Sequence, residues 1–326
     1  MDVLGIDLAK LTFDATLLTD GDQQHYQSFP NTPDGFSQLQ TWLADHDVTQ
    51  VHACMEATNI YYEALATFLD ALGHIVSVVN PARIKGYAQA TMQRNKTDKL
   101  DSAVIAFFCR THRPKVWQPL SDEHHHLRAL VRHREDLLQT QLQQQNRLRD
   151  TTDAVVRASL QAVLDIVRSQ LEAVGQELKK HLAAHAELRA NVELLTSIVG
   201  IGMLTAAKLL AEFGDIEQYE SAKAAAADAG VTPSHFESGT SVRRRPRLSK
   251  MGKAELRKAL YWPAITAMRY CPACKAYGER LAARGKAKKV VIGAMMRKLV
   301  HIVYGVLKHR TPYDPAKVFG ETATST

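Results

Sequence analysis

The opening segment Asp2-Val3-Leu4-Gly5-Ile6-Asp7-Leu8 decides how the first third of the chain is read. A short apolar run that ends in an acid is too brief for a core helix, so it reads as a buried strand presenting a carboxylate at its end. Residues 13–18 read as a second strand. The turn Thr19-Asp20-Gly21-Asp22 leads to a third near residues 25–29, giving a β-meander. Thr32 is a good N-cap with Pro33 at the first helical position, predicting a helix to about Asp45. A strand at 51–56 ends in Glu56, and a helix at about 60–72 is closed by Gly73. A strand at 74–79 is stopped by Asn80-Pro81, and helices follow at about 82–92 and 97–110.

That order, βββαβαβα, predicts an RNase H-like α/β domain: a mixed sheet with helices on its faces. Within it four acids stand where metal-dependent phosphoryl transfer needs them. Asp7 and Glu56 end their strands, and Asp98 and Asp101 share one face of a helix start by their spacing of three. Hard cations take oxygen ligands, and several carboxylates gathered without a cation repel one another. Taken alone, Asp98 and Asp101 are equally acids favoured by a helix dipole; Asp7 with Glu56 turns the reading toward a site. Asn95, Lys96 and Lys99 lie beside them and suit a phosphate.

From about Leu127 to Leu188 the pattern is helical with few breakers. Leu160, Leu164, Val167, Leu171, Val174 and Leu178 form a heptad seam, read as a coiled coil that pairs two subunits or as one helix packed on its own domain. Leu194 to Gly202, with Gly200-Ile201-Gly202, resembles a helix–hairpin–helix whose backbone amides can meet a phosphate. Residues 229–249 read as loop-rich, with helices at about 253–269 and 287–308. The expected division is 1–120 for the α/β domain, 121–192 for the helical oligomerisation segment, and 193–326 for a mainly helical C-terminal domain.

The charge is strongly polarised. The net +7 conceals a segment, Thr240 to Arg310, with 19 Lys+Arg against 2 Asp+Glu, while the remainder is acidic. Such a segment suits a polyanion, because cationic side chains release counterions from phosphates. Candidate contacts are Lys96, Arg243, Arg244, Arg245, Arg247, Lys250, Lys253, Arg257, Lys286, Lys288, Lys289, Arg297 and Lys298. Four cysteines fit a reducing compartment. No signal peptide and no continuous apolar run of spanning length is visible, so a cytoplasmic protein without a membrane partner is expected.

These segments together resemble the DEDD (RuvC-like) insertion-sequence transposases, the bridge-RNA-guided DNA recombinases related to Piv-type invertases. The resemblance rests on Gly5-Ile6-Asp7, Met55-Glu56-Ala57-Thr58, Arg94-Asn95-Lys96-Thr97-Asp98 with Asp101, and Val199-Gly200-Ile201-Gly202. It continues through Gly230-Val231-Thr232-Pro233, Glu237-Ser238-Gly239, Ser249-Lys250-Met251-Gly252 and Leu256-Arg257-Lys258-Ala259-Leu260. Gly293-Ala294-Met295-Met296-Arg297-Lys298-Leu299 and Tyr304-Gly305-Val306-Leu307-Lys308 also fit, so nearly the whole chain is covered, in order.

The resemblance implies that Asp7, Glu56, Asp98 and Asp101 bind Mg²⁺ or Mn²⁺ and that Ser238 is a nucleophile. It also implies a coiled-coil linker, a structured guide RNA that pairs with donor and target DNA, and a homo-oligomer, dimeric or, on DNA, tetrameric. Val199 stands where such proteins often carry proline, which bears on the turn rather than the chemistry. In chemical terms Ser238 precedes a glycine, with Arg243, Arg244, Arg245 and Arg247 close behind to neutralise a phosphate. A serine hydroxyl needs a base or metal to activate it.

The alternatives are a hydrolytic RuvC-like nuclease or junction resolvase using the same acids, an actin-like ATPase, and a helical RNA-binding protein. Asp7 is followed by Leu8-Ala9-Lys10 rather than a phosphate-gripping hairpin, which counts against the ATPase. Cys271-Pro272-Ala273-Cys274 has zinc or redox spacing but no second ligand pair. His124-His125-His126 reads as a polar helix start. Tyr61 and Tyr62 read as packing near Glu56. Tyr261, Trp262, Tyr270, Tyr277 and Tyr304 interleave with basic residues and fit either base stacking or core packing.

Overall fold

The computed structural model describes the chain apart from residues 22, 58–60, 92–97, 239–241 and 320–326, and apart from the side chains of 98, 235–238 and 242–246. It falls into two compact units, Met1–Pro119 and Leu120–Thr326.

The first unit contains β1 (Asp2–Leu8), β2 (Thr12–Leu18), β3 (Gln24–Pro30), α1 (Pro33–Ala44), β4 (Val51–Glu56), α2 (Tyr61–Ala71), β5 (Ile75–Val79), α3 (Pro81–Ala90) and α4 (Asp98–His112). The expected elements therefore occur in the expected order. The five strands form one mixed sheet, β3-β2-β1-β4-β5. The meander pairs are antiparallel, whereas β1, β4 and β5 run parallel.

Because β1 is central, both its faces are covered. Leu4, Ile6 and Leu8 pack with Phe36, Leu39, Trp42, Leu65 and Leu69 from α1 and α2. Val3 and Cys54 pack with Ile84, Ile105, Phe108 and Cys109 from α3 and α4. Local chemistry sets the helix starts: the Thr32 hydroxyl accepts from the Gly35 N–H, and Asn80 accepts from Ala82. Gly5 determines how closely α4 approaches. A Cβ there would lie 2.2 Å from the Ser102 carbonyl oxygen and 2.3 Å from the Ala106 nitrogen. Only a residue without a side chain lets α4 rest directly on β1. The Thr16 and Ser102 hydroxyls, 2.8 Å apart in the same interface, fix its register.

The second unit contains α5 (Asp122–Asp150), α6 (Ala154–Ala184), α7 (Ala186–Thr196), α8 (Met203–Phe213), α9 (Ala222–Asp228), β6 (Pro233–Ser238), β7 (Val242–Leu248), α10 (Ala254–Tyr270), α11 (Pro272–Ala283), α12 (Lys288–His309) and α13 (Pro315–Phe319). The stretch read as helical with few breakers is interrupted twice, between α5 and α6 and between α6 and α7. Asp153 caps α6 by accepting from the Val156 N–H at 2.9 Å. The Arg157 guanidinium closes the turn, donating to the carbonyls of Leu148 at 2.8 Å and Thr151 at 2.9 Å. At the far end the His181 ring meets the Glu123 carbonyl at 2.8 Å, so α5 and α6 form an antiparallel hairpin. Leu160, Leu164, Val167 and Leu178 of the heptad seam are buried within a single chain. Leu171 and Val174 are half-buried, so of the two readings of the seam the structure has it packed on its own chain.

A second expectation is corrected at 229–249. The stretch read as loop forms an antiparallel hairpin, β6 with β7, in which Glu237 faces Arg243 and Ser238 faces Val242. Pro246 is accommodated because a two-stranded hairpin has only edges, where a residue lacking an N–H is tolerated. The helices share one core around α12, including Met295, Leu299, Val300 and Val303 with Leu210, Leu260 and Ala264. The most apolar 18 residues of α12 reach a mean hydropathy of 1.6, enough in length and composition to cross a membrane, yet 61% of that window is buried inside the chain. Among the described residues it is a core helix.

Candidate active site

The register of β1 and β4 runs from Asp2↔Val51 to Ile6↔Met55, which brings Asp7 level with Glu56 on the neighbouring strand. Alternation puts Asp7 on the same face as Val3 and Gly5, the face against α4. α4 runs opposite to β1. Cys109, near its end, lies 3.8 Å from the His52 carbonyl beside Val3, while Ser102 and Ala106 lie at Gly5. The N-terminal turn of α4, Asp98 to Asp101, therefore comes to the sheet end that carries Asp7 and Glu56. Asp7, Glu56 and Asp101 are each half-buried. The side chain of Asp98, and the whole of Asn95 and Lys96, lie outside the described residues.

Among the described residues, no three His, Cys, Asp or Glu side chains stand together closely enough to hold a metal ion. Asp7, Glu56 and Asp101 are brought to one sheet end. Their donor type, carboxylate throughout, fits a hard divalent cation.

Sequence reasoning missed one acid. Asp14 on β2 sits directly opposite Asp7 in the antiparallel register. It accepts a 2.6 Å hydrogen bond from the Tyr26 hydroxyl, and the Lys99 ammonium stands 5.6 Å from the Tyr26 ring. The pairing follows from a tight turn that the structure shows, in which the Ala9 N–H donates to the Thr12 carbonyl at 2.9 Å; counting both ways from it pairs residue 7 with residue 14.

In the second unit Ser238 ends β6, and its side chain lies outside the described residues, as do those of Arg243, Arg244 and Arg245. Arg247, Lys250, Lys286, Lys288 and Lys289 are exposed, and Arg297 is half-buried. Three other candidate cations are engaged by their own chain. Lys253 donates to the Glu212 carbonyl at 2.7 Å and pairs with Asp228 at 3.2 Å. Arg257 donates to the Gly252 carbonyl at 2.9 Å. Lys298 donates to the Val318 carbonyl at 3.1 Å and covers the Phe319 ring.

α7 and α8 form a helix–turn–helix at the predicted glycines. Gly200 has φ +96°, and a Cβ on it would fall 2.8 Å from the Pro263 carbonyl oxygen of α10. Gly202 caps α8 without a side-chain acceptor and opens onto free space. Cys271 and Cys274 are buried under the Tyr313 hydroxyl, at 3.7 and 3.9 Å. Burial pushes the Cys274 thiol up to about 12, and the Cys271 sulfur adds to the effect. That marks a structural rather than a reactive thiol. His124 lies in the first turn of α5, with its N–H donating to the N-cap Ser121 hydroxyl.

Residues 4–156 match a family model described as a transposase, and residues 192–279 match that of the transposase IS116/IS110/IS902 family. The pilin gene-inverting protein of Moraxella lacunata is 34% identical over 95% of this chain and 97% of its own length. The protein of the same name from Moraxella bovis is also 34% identical over 95% of the chain. The transposase for insertion sequence element IS1111A of Coxiella burnetii is 24% identical over 68% of the chain and 65% of its own length. A five-stranded mixed sheet with acids at one end, followed by a basic helical unit, is the build of a DNA transposase or recombinase. The chain belongs to the IS116/IS110/IS902 transposase family.

Proposed function

We propose that this protein cuts and rejoins donor and target DNA through Ser238, assisted by Mg²⁺ or Mn²⁺ on Asp7, Glu56, Asp98 and Asp101, with a structured guide RNA selecting the sites. The observation that carries the reading is the register that sets Asp7 level with Glu56 at the sheet end reached by the first turn of α4. The strand order β3-β2-β1-β4-β5 supports describing this domain as RuvC-like.

The Ser238 Oγ attacks a backbone phosphorus, forming an O–P bond as the ester bond to the departing deoxyribose breaks. The serine proton leaves to a base, and the departing oxygen takes up a proton as a hydroxyl. The phosphoserine ester retains the bond energy, so a hydroxyl from another strand can reverse the step and join new ends. A bound divalent ion supplies charge neutralisation at the phosphate and lowers the cost of deprotonating a hydroxyl. Asp7, Glu56, Asp98 and Asp101 would hold that ion. The arginines of β7 neutralise the phosphate oxygens, and the exposed Lys286, Lys288 and Lys289 hold nucleic acid backbone.

The protein acts as a homo-oligomer, a dimer or, on DNA, a tetramer, in the cytosol where its DNA lies. Support comes from the turn end of the α5–α6 hairpin, where Val155, Val156, Val163, Ile166 and Leu142 are exposed.

The test is to sequence nucleic acid that co-purifies with the protein and then to assay recombination of the matching DNA with Mg²⁺. A discrete RNA and recombined product are expected. Recombination proceeding equally after complete RNase treatment removes the guide. Strand cleavage without any protein–DNA adduct replaces serine with water as the nucleophile.

A further inference from the structure

Trp262 is 69% exposed, Tyr270 64% and Tyr261 40%. All three lie on α10, whose inner face, Leu256, Leu260, Ala264 and Ala267, is fully buried. Core packing therefore does not account for these three rings, whereas Tyr277 and Tyr304 are partly buried against the core. Burying a large apolar side chain is worth about 1.5–3 kcal/mol, which this chain forgoes at Trp262.

Helical periodicity lines up Lys258, Trp262 and Arg269, with Tyr261 and Tyr270 on either side. The same stripe carries Ile265, half-buried against the core, so the exposed neighbours of the rings on this face are Lys258 and Arg269. The Tyr261 and Trp262 rings meet edge to face at 5.6 Å, which leaves ring faces open. The Arg269 guanidinium stands 5.3 Å from the Tyr270 ring. Beyond them Arg269, Tyr270, Pro272, Lys275, Ala276 and Glu279 line an open groove. The acids here are already paired, Glu255 with Lys258 at 2.6 Å and Glu279 with Lys275 at 4.0 Å.

The glycine turn before α8 adjoins the same helix. Gly200 packs on the Pro263 carbonyl, one residue from Trp262. The first amides of α8 lack a side-chain cap, and Gly202 faces open space. Amides at a helix start favour a phosphate.

We propose that the outer face of α10 is a stacking platform for unpaired bases of a DNA strand, with Trp262 as its centre and Tyr261, Tyr270 and Arg269 around it. Flat rings among cations suit a strand whose bases are free, since every base has a π-face and every nucleotide a negative phosphate. A duplex hides those faces. Cutting and rejoining DNA opens strands, so an enzyme of this family meets such bases in its own reaction. The proposal rests on reading the basic segment as a nucleic-acid surface. It does not depend on the acids or on Ser238.

The experiment measures affinity for an oligo(dT) strand, an oligo(U) strand and a blunt duplex of equal length, in EDTA, using full-length protein. Trp262→Ala is expected to weaken oligo(dT) binding about tenfold, the range of one base–aromatic stack, and duplex binding less than twofold. Trp262→Phe should keep most of the affinity while abolishing the quenching of tryptophan fluorescence by oligo(dT). Trp42 is buried and Trp117 half-buried, so Trp262 should carry that signal. An unchanged melting temperature shows that the variants fold.

Equal losses on single strand and duplex, or no loss, overturn the platform. Trp262-dependent binding of oligo(U) but not oligo(dT) overturns the assignment to DNA. A change in self-association with oligo(dT) affinity unchanged makes the face an interface between copies instead. Wild-type protein that binds none of the three probes removes the nucleic-acid reading of the basic segment, a failure distinct from that of Trp262 alone.

Discussion

Asp7 lies directly opposite Asp14 across the antiparallel pair β1–β2, and level with Glu56 on the other side of its strand. Carboxylates facing each other on neighbouring strands are mutually destabilising. A divalent cation bound between them would turn that repulsion into binding energy.

Adding Mg²⁺ should raise the melting temperature of the wild-type protein, by a stabilisation of about 2.7 kcal/mol once the ion reaches about 100 times its dissociation constant. Asp7→Asn should lose most of that increment, and recombination with it, while its melting temperature in EDTA equals or exceeds the wild type's. An undiminished Mg²⁺ response in Asp7→Asn, read by calorimetry, refutes the role of this residue.

Ser238→Ala should abolish both recombination and the covalent protein–DNA adduct seen on denaturing gels. The Mg²⁺-induced rise in melting temperature should persist, because no carboxylate is removed. Undiminished recombination by this variant would falsify the assignment of the nucleophile.

Gly5→Ala should destabilise the first unit by about 1–3 kcal/mol or more, since its Cβ would run into the Ser102 carbonyl and the Ala106 nitrogen. The displaced element is the helix that begins with Asp98 and carries Asp101. Activity measured well below the melting temperature should therefore fall further than the folded fraction does. A melting temperature equal to wild type would show that α4 does not rest on β1 in this way.

The α5–α6 hairpin has one apolar face buried within the chain and another that is exposed. Leu164 is fully buried within the chain, so Leu164→Ala should cost about 2–5 kcal/mol in urea unfolding. Ile166 is 64% exposed, so Ile166→Asp should change unfolding by no more than about 0.5 kcal/mol. It should instead shift the sedimentation profile toward smaller species. The opposite pattern would return the heptad seam to the subunit interface.

Burial holds His74 and His301 below the ordinary histidine range, and nearby Arg297, Lys298 and Lys223 add to the effect at His301. The unfolded chain therefore takes up protons first as pH falls. This contribution to stability is complete above about pH 6.5 and is lost as pH drops toward the folded-state values. Stability in urea should be lower at pH 5.5 than at pH 7.5. His301→Leu should reduce that difference, the more so because the His301 Nε2 is buried without a hydrogen-bond partner. A pH difference of the same size in the variant would assign the slope to other groups.

Much of this molecule is local in origin. Short apolar runs ending in acids, Thr32 and Asn80 as caps, and prolines at helix starts set the strands and helices of the first unit, because each depends on residues within a turn or two. Asp7 and Glu56 were legible as strand-end acids for the same reason. The break at Asp150 to Asp153 was harder to see: it contains neither Gly nor Pro and relies on the Asp153 carboxylate cap and the reach of Arg157 back to the carbonyls of Leu148 and Thr151.

What only the tertiary structure decided are the pairings between segments far apart in the chain. The approach of α4 to Gly5, the filling of the heptad seam from within the chain, and the engagement of Lys253, Arg257 and Lys298 by backbone carbonyls are all of this kind. So is the exposure of Trp262 while Tyr304 is half-buried. Periodicity fixes which side chains share a face, but which face finds a partner depends on the packing of the whole unit.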